Sequence, residues 1–261
     1  MIHDEARMQP PQLVTITFSH YCEKARWTLD HAGIPYRESG HLPAFHMLAV
    51  RRAGGYRSVP ALITDEGAIN DSTDIAKWAD RRAPGARLYG TNDAERREVE
   101  TLEEHFDEHF GPHTRRWMYF HMLPDRDLVL HLSNKQHAPA LEKRLLPLFF
   151  PVVRPVMRKA MRITPEGAAR SLRKIEAMFA EVGKKIEDGR SFLVGDALTM
   201  ADITFASLAA VVLAPPEYGA PLFPIEMLPQ EPAAHIRAWQ ELPAGKFGAR
   251  LFREHRARAR A

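Results

Sequence analysis

The apolar residues of this 261-residue chain change their period once, and that change limits the fold more than any other feature. Up to about residue 84, short apolar runs alternate with helical stretches. Leu13-Val14-Thr15-Ile16-Thr17-Phe18 alternates apolar side chains with threonine, the pattern of a strand. From Cys22 the period becomes helical, with Ala25, Leu29 and Ala32 on one face and Gly33 as a stop. Pro35 opens an extended piece around Tyr36-Arg37-Glu38, and a less regular stretch ends at Gly54-Gly55. Val59-Pro60-Ala61-Leu62-Ile63 reads as a strand, with a turn at Asp65-Glu66-Gly67 and a short strand at Ala68-Ile69. Asp71-Ser72-Thr73-Asp74 supplies N-cap chemistry for a helix carrying Ile75, Trp78 and Ala79, which Ala83-Pro84-Gly85 ends. The order is β-α-β, a crossover, then β-β-α.

Past a linker near residues 84–93 only the helical period remains. Val99, Leu102, Phe106 and Phe110 form one stripe, and Leu172, Ile175, Phe179, Val182 and Ile186 another. Such stripes are the buried faces of a helical bundle. The chain therefore divides into an α/β domain over 12–84 and an all-α helical bundle domain over 93–255. Within the second, residues 124–165 form an apolar, basic insertion. Prolines at 124, 139, 147, 151, 155 and 165 predict short helices or an ordered lid there.

Composition narrows the class. A net charge of +3 is too small to mark a nucleic-acid binder, and much of the excess lies in Arg253, Arg256, Arg258 and Arg260, a tail expected to fray in solvent. No apolar run reaches the ~20 residues of a membrane-spanning helix. Met1 to Gln12 has no apolar core, so no signal peptide is expected there. Cys22 is the only cysteine, which excludes an intrachain disulfide and fits a cytoplasmic setting.

Three local features carry chemistry, each beside a plainer reading. Ser19-His20-Tyr21-Cys22 lies between strand and helix, where a hydroxyl and the helix dipole stabilise an anion such as a thiolate; Ser19 as a simple helix cap is the alternative. Val59-Pro60 places a proline in an apparent strand, which fits a cis bond beside a ligand or an edge strand or bulge. Asp71-Ser72 suits a ligand carboxylate and ammonium, or plain capping. Cys22 is read as a small packed residue, with a reactive thiol as the other option. His105, His109 and His113 are spaced by four, but Gly111-Pro112 interrupts them; they are read as solvated or partly packed, and no metal is expected. Trp117 to His121 supplies aromatic side chains for a core or for an apolar pocket.

Together these features resemble the glutathione transferase family, serine-type classes. The resemblance rests on Phe18-Ser19-His20-Tyr21-Cys22-Glu23-Lys24-Ala25-Arg26, on Val59-Pro60 and on Asp71-Ser72 about a dozen residues later. A further match is Phe192-Leu193-Val194-Gly195-Asp196-Ala197-Leu198-Thr199-Met200-Ala201-Asp202-Ile203, similar to the family's G-D-x-[ST]-x-A-D helix start. Its physics stands without the name: Thr199 and Asp202 form a capping box, and Leu198 and Ile203 are placed as a hydrophobic staple. The resemblance spans about 13–123 and 166–250 and leaves 124–165 unexplained.

The resemblance implies a thioredoxin-like first domain and glutathione as co-substrate. Ser19 would hold the glutathione sulfur. Val59 would pair through its backbone with the cysteinyl unit, with Pro60 cis. Asp71 and Ser72 would take the γ-glutamyl end, and His46 the glycyl carboxylate. The chain departs from the family at Asp71, where Glu or Gln is usual, and at Ser58, where a basic residue often precedes Val-Pro; Arg57 is the nearest substitute. The implied activity is transfer of the glutathione thiolate to an apolar electrophilic small molecule, by a homodimer. Two alternatives stay open: a non-catalytic binding protein that meets a partner or membrane surface through 124–165, and a thiol-disulfide oxidoreductase that depends on Cys22.

Overall fold

The computed structural model describes residues 9–56 and 58–257. The chain start through Met8, Arg57 and the tail arginines Arg258 and Arg260 lie outside the described residues.

Four strands form one mixed sheet in the order β2-β1-β3-β4. β1 (Gln12–Ile16) is parallel to β2 (Arg37–His41) and antiparallel to β3 (Ala61–Thr64), and β3 is antiparallel to β4 (Gly67–Asn70). The parallel pair needs a long crossover, and α1 (His20–His31) supplies it. α2 (His46–Arg52) and α3 (Ser72–Arg82) complete this α/β part. Leu13, Val14 and Thr15 are all buried because β1 is covered on both faces. Val14 packs with Val50 and Ala61, while Leu13 joins the main core. β3 begins only at Ala61, so Val59 and Pro60 precede the ladder. The bond between them is cis.

The rest is helical. α4 (Asp93–His109) and α5 (Gly111–Met122) meet at the break that Gly111-Pro112 foretells. α6 (Arg126–Lys135), α7 (Ala140–Ala160), α8 (Pro165–Lys185) and α9 (Met200–Leu213) follow, then α10 (Gln230–Glu241) and α11 (Pro243–Leu251). All 14 residues of α9 are buried, as a helix apolar on every side must be. The Thr199–Asp202 capping box forms at its start, and Asp202 Oδ1 also accepts from Leu193 N–H at 2.8 Å. Leu198 and Ile203 are buried beside it. One apolar cluster runs from Leu13 through α9 to Phe252, so the sheet and the bundle share a core.

Two expectations are corrected. Residues 140–160 form one continuous helix rather than short pieces. Pro147, Pro151 and Pro155 recur every four residues and so share a face. Pro151 and Pro155 are exposed, and the Pro147 carbonyl accepts from Arg126 Nη2 at 3.4 Å. The carbonyls that the prolines orphan therefore lie where solvent or a side chain reaches them. The opposite face holds the helix through buried Leu146 and Phe150. The second correction concerns the tail. Arg256 does not fray: it is fully buried, with Nε 2.6 Å from Glu23 Oε1 and Nη1 paired with Asp30. Glu23 sits under the core with its charge uncompensated by solvent, and Arg26 and Arg256 together hold its carboxyl below the usual range against the opposing effect of burial.

Candidate functional site

The turn from β1 into α1 places Ser19 at the N-cap of α1. Its hydroxyl makes no capping hydrogen bond, so the position is a cap in backbone only. Ser19 is half-buried and lines a cavity of about 570 Å³ between the sheet end, α5, α6 and α7. Val59 and His46 line the same cavity; Pro60, Asp71 and Ser72 do not. No hydrogen bond joins the N–H or C=O of Val59 to another described residue, which leaves a free stretch of backbone beside the cavity. Burial, followed by the charge of His41, lowers the pKa of the His46 ring.

Asp71 and Ser72 are joined to Pro60 but stand off the cavity wall. Asp71 N–H donates to Pro60 O at 3.3 Å, which ties the two turns together. Asp71 has φ 81° and ψ 140°, a conformation that non-glycine residues rarely adopt and that clusters at ligand clamps. Its carboxylate caps α3 by accepting from Thr73 N–H at 2.8 Å. Ser72 is buried at the first turn of α3. A charged network beneath fixes this turn. Lys24 Nζ from α1 pairs with Glu103 and Asp107 from α4 and donates to Thr73 Oγ1 at 3.0 Å. Thr73 Oγ1 lies 3.0 Å from Glu103 Oε1 and 3.0 Å from Asp107 Oδ2. Tyr89 donates to the same Glu103 at 2.8 Å.

α1 and α5 approach closely at the cavity floor. Gly111 permits this, because a β-carbon there would overlap the Tyr21 hydroxyl. Tyr21 Oη donates to Asp107 O at 3.0 Å, and His20 Nε2 is 3.1 Å from Gly111 O. Burial, then the Arg115 charge, pulls the His20 pKa down to about 3, so the ring is neutral and donates its Nε2–H. Burial pushes the Cys22 thiol up to about 11, and Arg26 and the Ser19 hydroxyl offset only part of that. Cys22 is fully buried, in keeping with the packed reading.

Other sequence candidates fall away from the site. His105 pairs with Glu181 and stacks edge-on against His109, while His113 bonds to Ser171. Among the described residues no three His, Cys, Asp or Glu side chains are grouped to hold a metal. Trp117 is core, packed on Trp239, whereas Met118 and Tyr119 face the cavity. Two groups went unread in the sequence. The Lys24–Glu103–Asp107 network joins residues about 80 apart, beyond any local pattern. Arg115, also on the cavity wall, had a readable signal: with Met118, Tyr119 and Met122 it keeps i, i+3, i+4, i+7 spacing, a cation within an apolar stripe.

The sequence model described as "Glutathione S-transferase, N-terminal domain" matches residues 13–87, and that described as "Glutathione S-transferase, C-terminal domain" matches 165–240. The chain belongs to the glutathione S-transferase family. Solved structures agree on the fold. Glutathione transferase F2 from Populus trichocarpa is similar at 14% identity and a TM-score of 0.57, covering 95% of this chain and 99% of that one. A glutathione S-transferase from Methylobacterium radiotolerans, in complex with glutathione sulfonate, is similar at 20% identity and a TM-score of 0.55, covering 92% and 95%. The beta-etherase LigF from Sphingobium sp. strain SYK-6 is similar at 19% identity and a TM-score of 0.59, covering 92% and 98%. No protein of curated function matches the sequence. The two family matches bracket residues 88–164, so α6 and α7 lie in the part of this transferase-family chain that neither describes.

Proposed function

We propose that this chain binds glutathione and transfers its thiolate to an apolar electrophilic small molecule. One observation carries the reading: the Ser19 hydroxyl, unused as a cap, lines the same cavity as Val59, whose backbone is unpaired among the described residues. On this reading Val59 pairs with the cysteinyl unit, next to cis Pro60. Asp71 and Ser72 hold the γ-glutamyl end, and His46 meets the glycyl carboxylate. Ser19 donates to the sulfur and, with the N-terminus of α1, favours the thiolate. The glutathione thiol gives its proton to water, and the sulfur lone pair forms the new C–S bond as the bond from that carbon to the electrophile's leaving group breaks, the leaving group keeping the electron pair. The chain works on this reading as a cytoplasmic homodimer, which sedimentation and cell fractionation check.

Calorimetry and a general aromatic electrophile test the assignment. Ser72→Ala is expected to weaken glutathione binding at least tenfold. Ser19→Ala is expected to keep binding and lose about 10²-fold in turnover, the scale of one lost anion-stabilising donor. No heat from the wild type at millimolar glutathione would remove the transferase reading and leave the fold intact.

A second reading has its own observation. On α7, Leu141, Leu148, Val152 and Val156 are 61–73% exposed, and Arg144, Arg158 and Lys159 are exposed near them. An apolar stripe beside cations suits an anionic membrane surface. Among the described residues no helix is long and apolar enough to cross a membrane. Cosedimentation with phosphatidylserine vesicles, lost in Leu148→Asp/Val152→Asp, is the expected result; equal binding to neutral vesicles, or none to either, sinks this reading. Cys22-dependent exchange finds no support, because its thiol is buried and raised.

A further inference from the structure

The cavity wall is mostly apolar, and one permanently charged side chain stands on it. Among the described residues Arg115 is the only lysine, arginine or carboxylate side chain that lines it; the other ionisable groups there are His20, Tyr21, His46 and Tyr119. Among the described residues Arg115 makes no ion pair and no hydrogen bond, and its Nε is buried without a partner. The other buried or half-buried arginines nearby each have a carboxylate, carbonyl or hydroxyl partner, although Arg256 Nη2 is also buried without one. Arg26 and Arg256 share Glu23, and Arg116 donates to Met161 O and Ser171. The Arg115 guanidinium carbon stands 5.8 Å from the centre of the Tyr21 ring, which holds it against the α1–α5 floor. Its charge reaches His20, Tyr21 and Tyr119 and lowers the pKa of each, though burial raises the two phenols overall. Both phenols therefore stay protonated and cannot serve as its counter-charge. An unpaired cation at an apolar wall is costly, and an anionic ligand removes that cost.

We propose that Arg115 binds a carboxylate on the electrophile, so that this cavity selects apolar carboxylic acids over their neutral analogues. The acid head lies at the α1–α5 floor. The apolar body extends toward α7, against side chains such as Leu146, Phe150, Val153 and Met157. Arg115 is a specificity-determining residue here, and Tyr119, half-buried one turn on along α5, lines the same cavity. That the bound acid is then conjugated rests on the transferase reading; the selection of acids by the cavity does not.

The test is therefore run first without glutathione. Binding of cis-parinaric acid and of its methyl ester to the full chain is followed by fluorescence. The wild type is expected to bind the acid at least tenfold more tightly than the ester. Arg115→Gln is expected to bring the two affinities together by weakening only the acid, and Arg115→Lys to restore much of the preference. Unchanged ester binding in Arg115→Gln shows that the cavity is intact. Equal affinities in the wild type, a preference that survives in Arg115→Gln, or no binding of either probe would each overturn the proposal. With glutathione and a general aromatic electrophile added, an acid preference in probe binding without conjugation of the electrophile would sink the transferase reading alone. Conjugation of neutral electrophiles with no acid preference would sink this proposal alone.

Discussion

His20 shows how burial at one residue becomes a property of the whole protein. Its ring is held neutral in the fold, with a pKa near 3 against about 6.5 in an unfolded chain. Between those values the unfolded chain binds a proton that the folded one refuses. The stability His20 contributes is complete above pH 6.5 and is lost as the pH falls toward 3, at up to about 1.4 kcal/mol per pH unit. His20→Gln keeps a donor for Gly111 O and does not titrate. In urea unfolding at pH 7, 6 and 5, the stability gap between wild type and His20→Gln is expected to narrow as the pH drops. A constant gap would mean that His20 charges freely in the fold. The residue scale is also where the sequence was most informative about the candidate site. Local pattern points to Ser19 and Val59, the family resemblance alone to His46, and the fold brings all three to one cavity. Asp71 and Ser72 do not line that cavity, and no local pattern sets the offset. Nor does residue type reveal the positive φ of Asp71, which follows from the path of β4 into α3.

At the scale of elements, periodicity located the strands and the core helices because each has a buried face. β1, α4 and α8 follow their patterns closely, while α9, buried all round, is marked in the sequence only by its Thr199–Asp202 start. α7 was hidden by its prolines, since a local rule reads each as a break. Spacing them by four turns three breaks into one tolerated edge, and Leu146 and Phe150 on the other side hold the helix by packing. Helices of this kind owe their existence to tertiary contacts more than to propensity. The contact of α7 with the sheet is likewise non-local: Glu142 accepts from Leu42 N–H at 2.9 Å and pairs with His41 at 2.6 Å, a hundred residues away. That fastening brings α7 across the cavity and makes it a wall for whatever Ser19 meets.

At the scale of the molecule, the candidate site is a product of both parts of the chain. Tyr218 Oη donates to Phe18 O at 3.2 Å, just before Ser19, and Gly219 passes so close to Glu23 that a β-carbon would collide with its carboxylate. Arg256 completes this contact from the far end. Replacing Arg256 by Met leaves Glu23 buried with Arg26 alone and is expected to cost about 3–5 kcal/mol, the scale of a broken buried ion pair. Adding Glu23→Gln should recover much of that loss, which a double-mutant cycle in denaturant would show. A cost under about 1 kcal/mol for Arg256→Met would mean that the clamp carries little of the stability.

The Glu23–Arg256 pair also bears on synthesis. A ribosome delivers α1 more than two hundred residues before it delivers the arginine that neutralises it. Until then Glu23 has only Arg26, its neighbour on the same helix, and the first helix cannot settle into its final surroundings. α1 is therefore made early and finished late, and its completion reports that the stretch carrying Arg256 has been made.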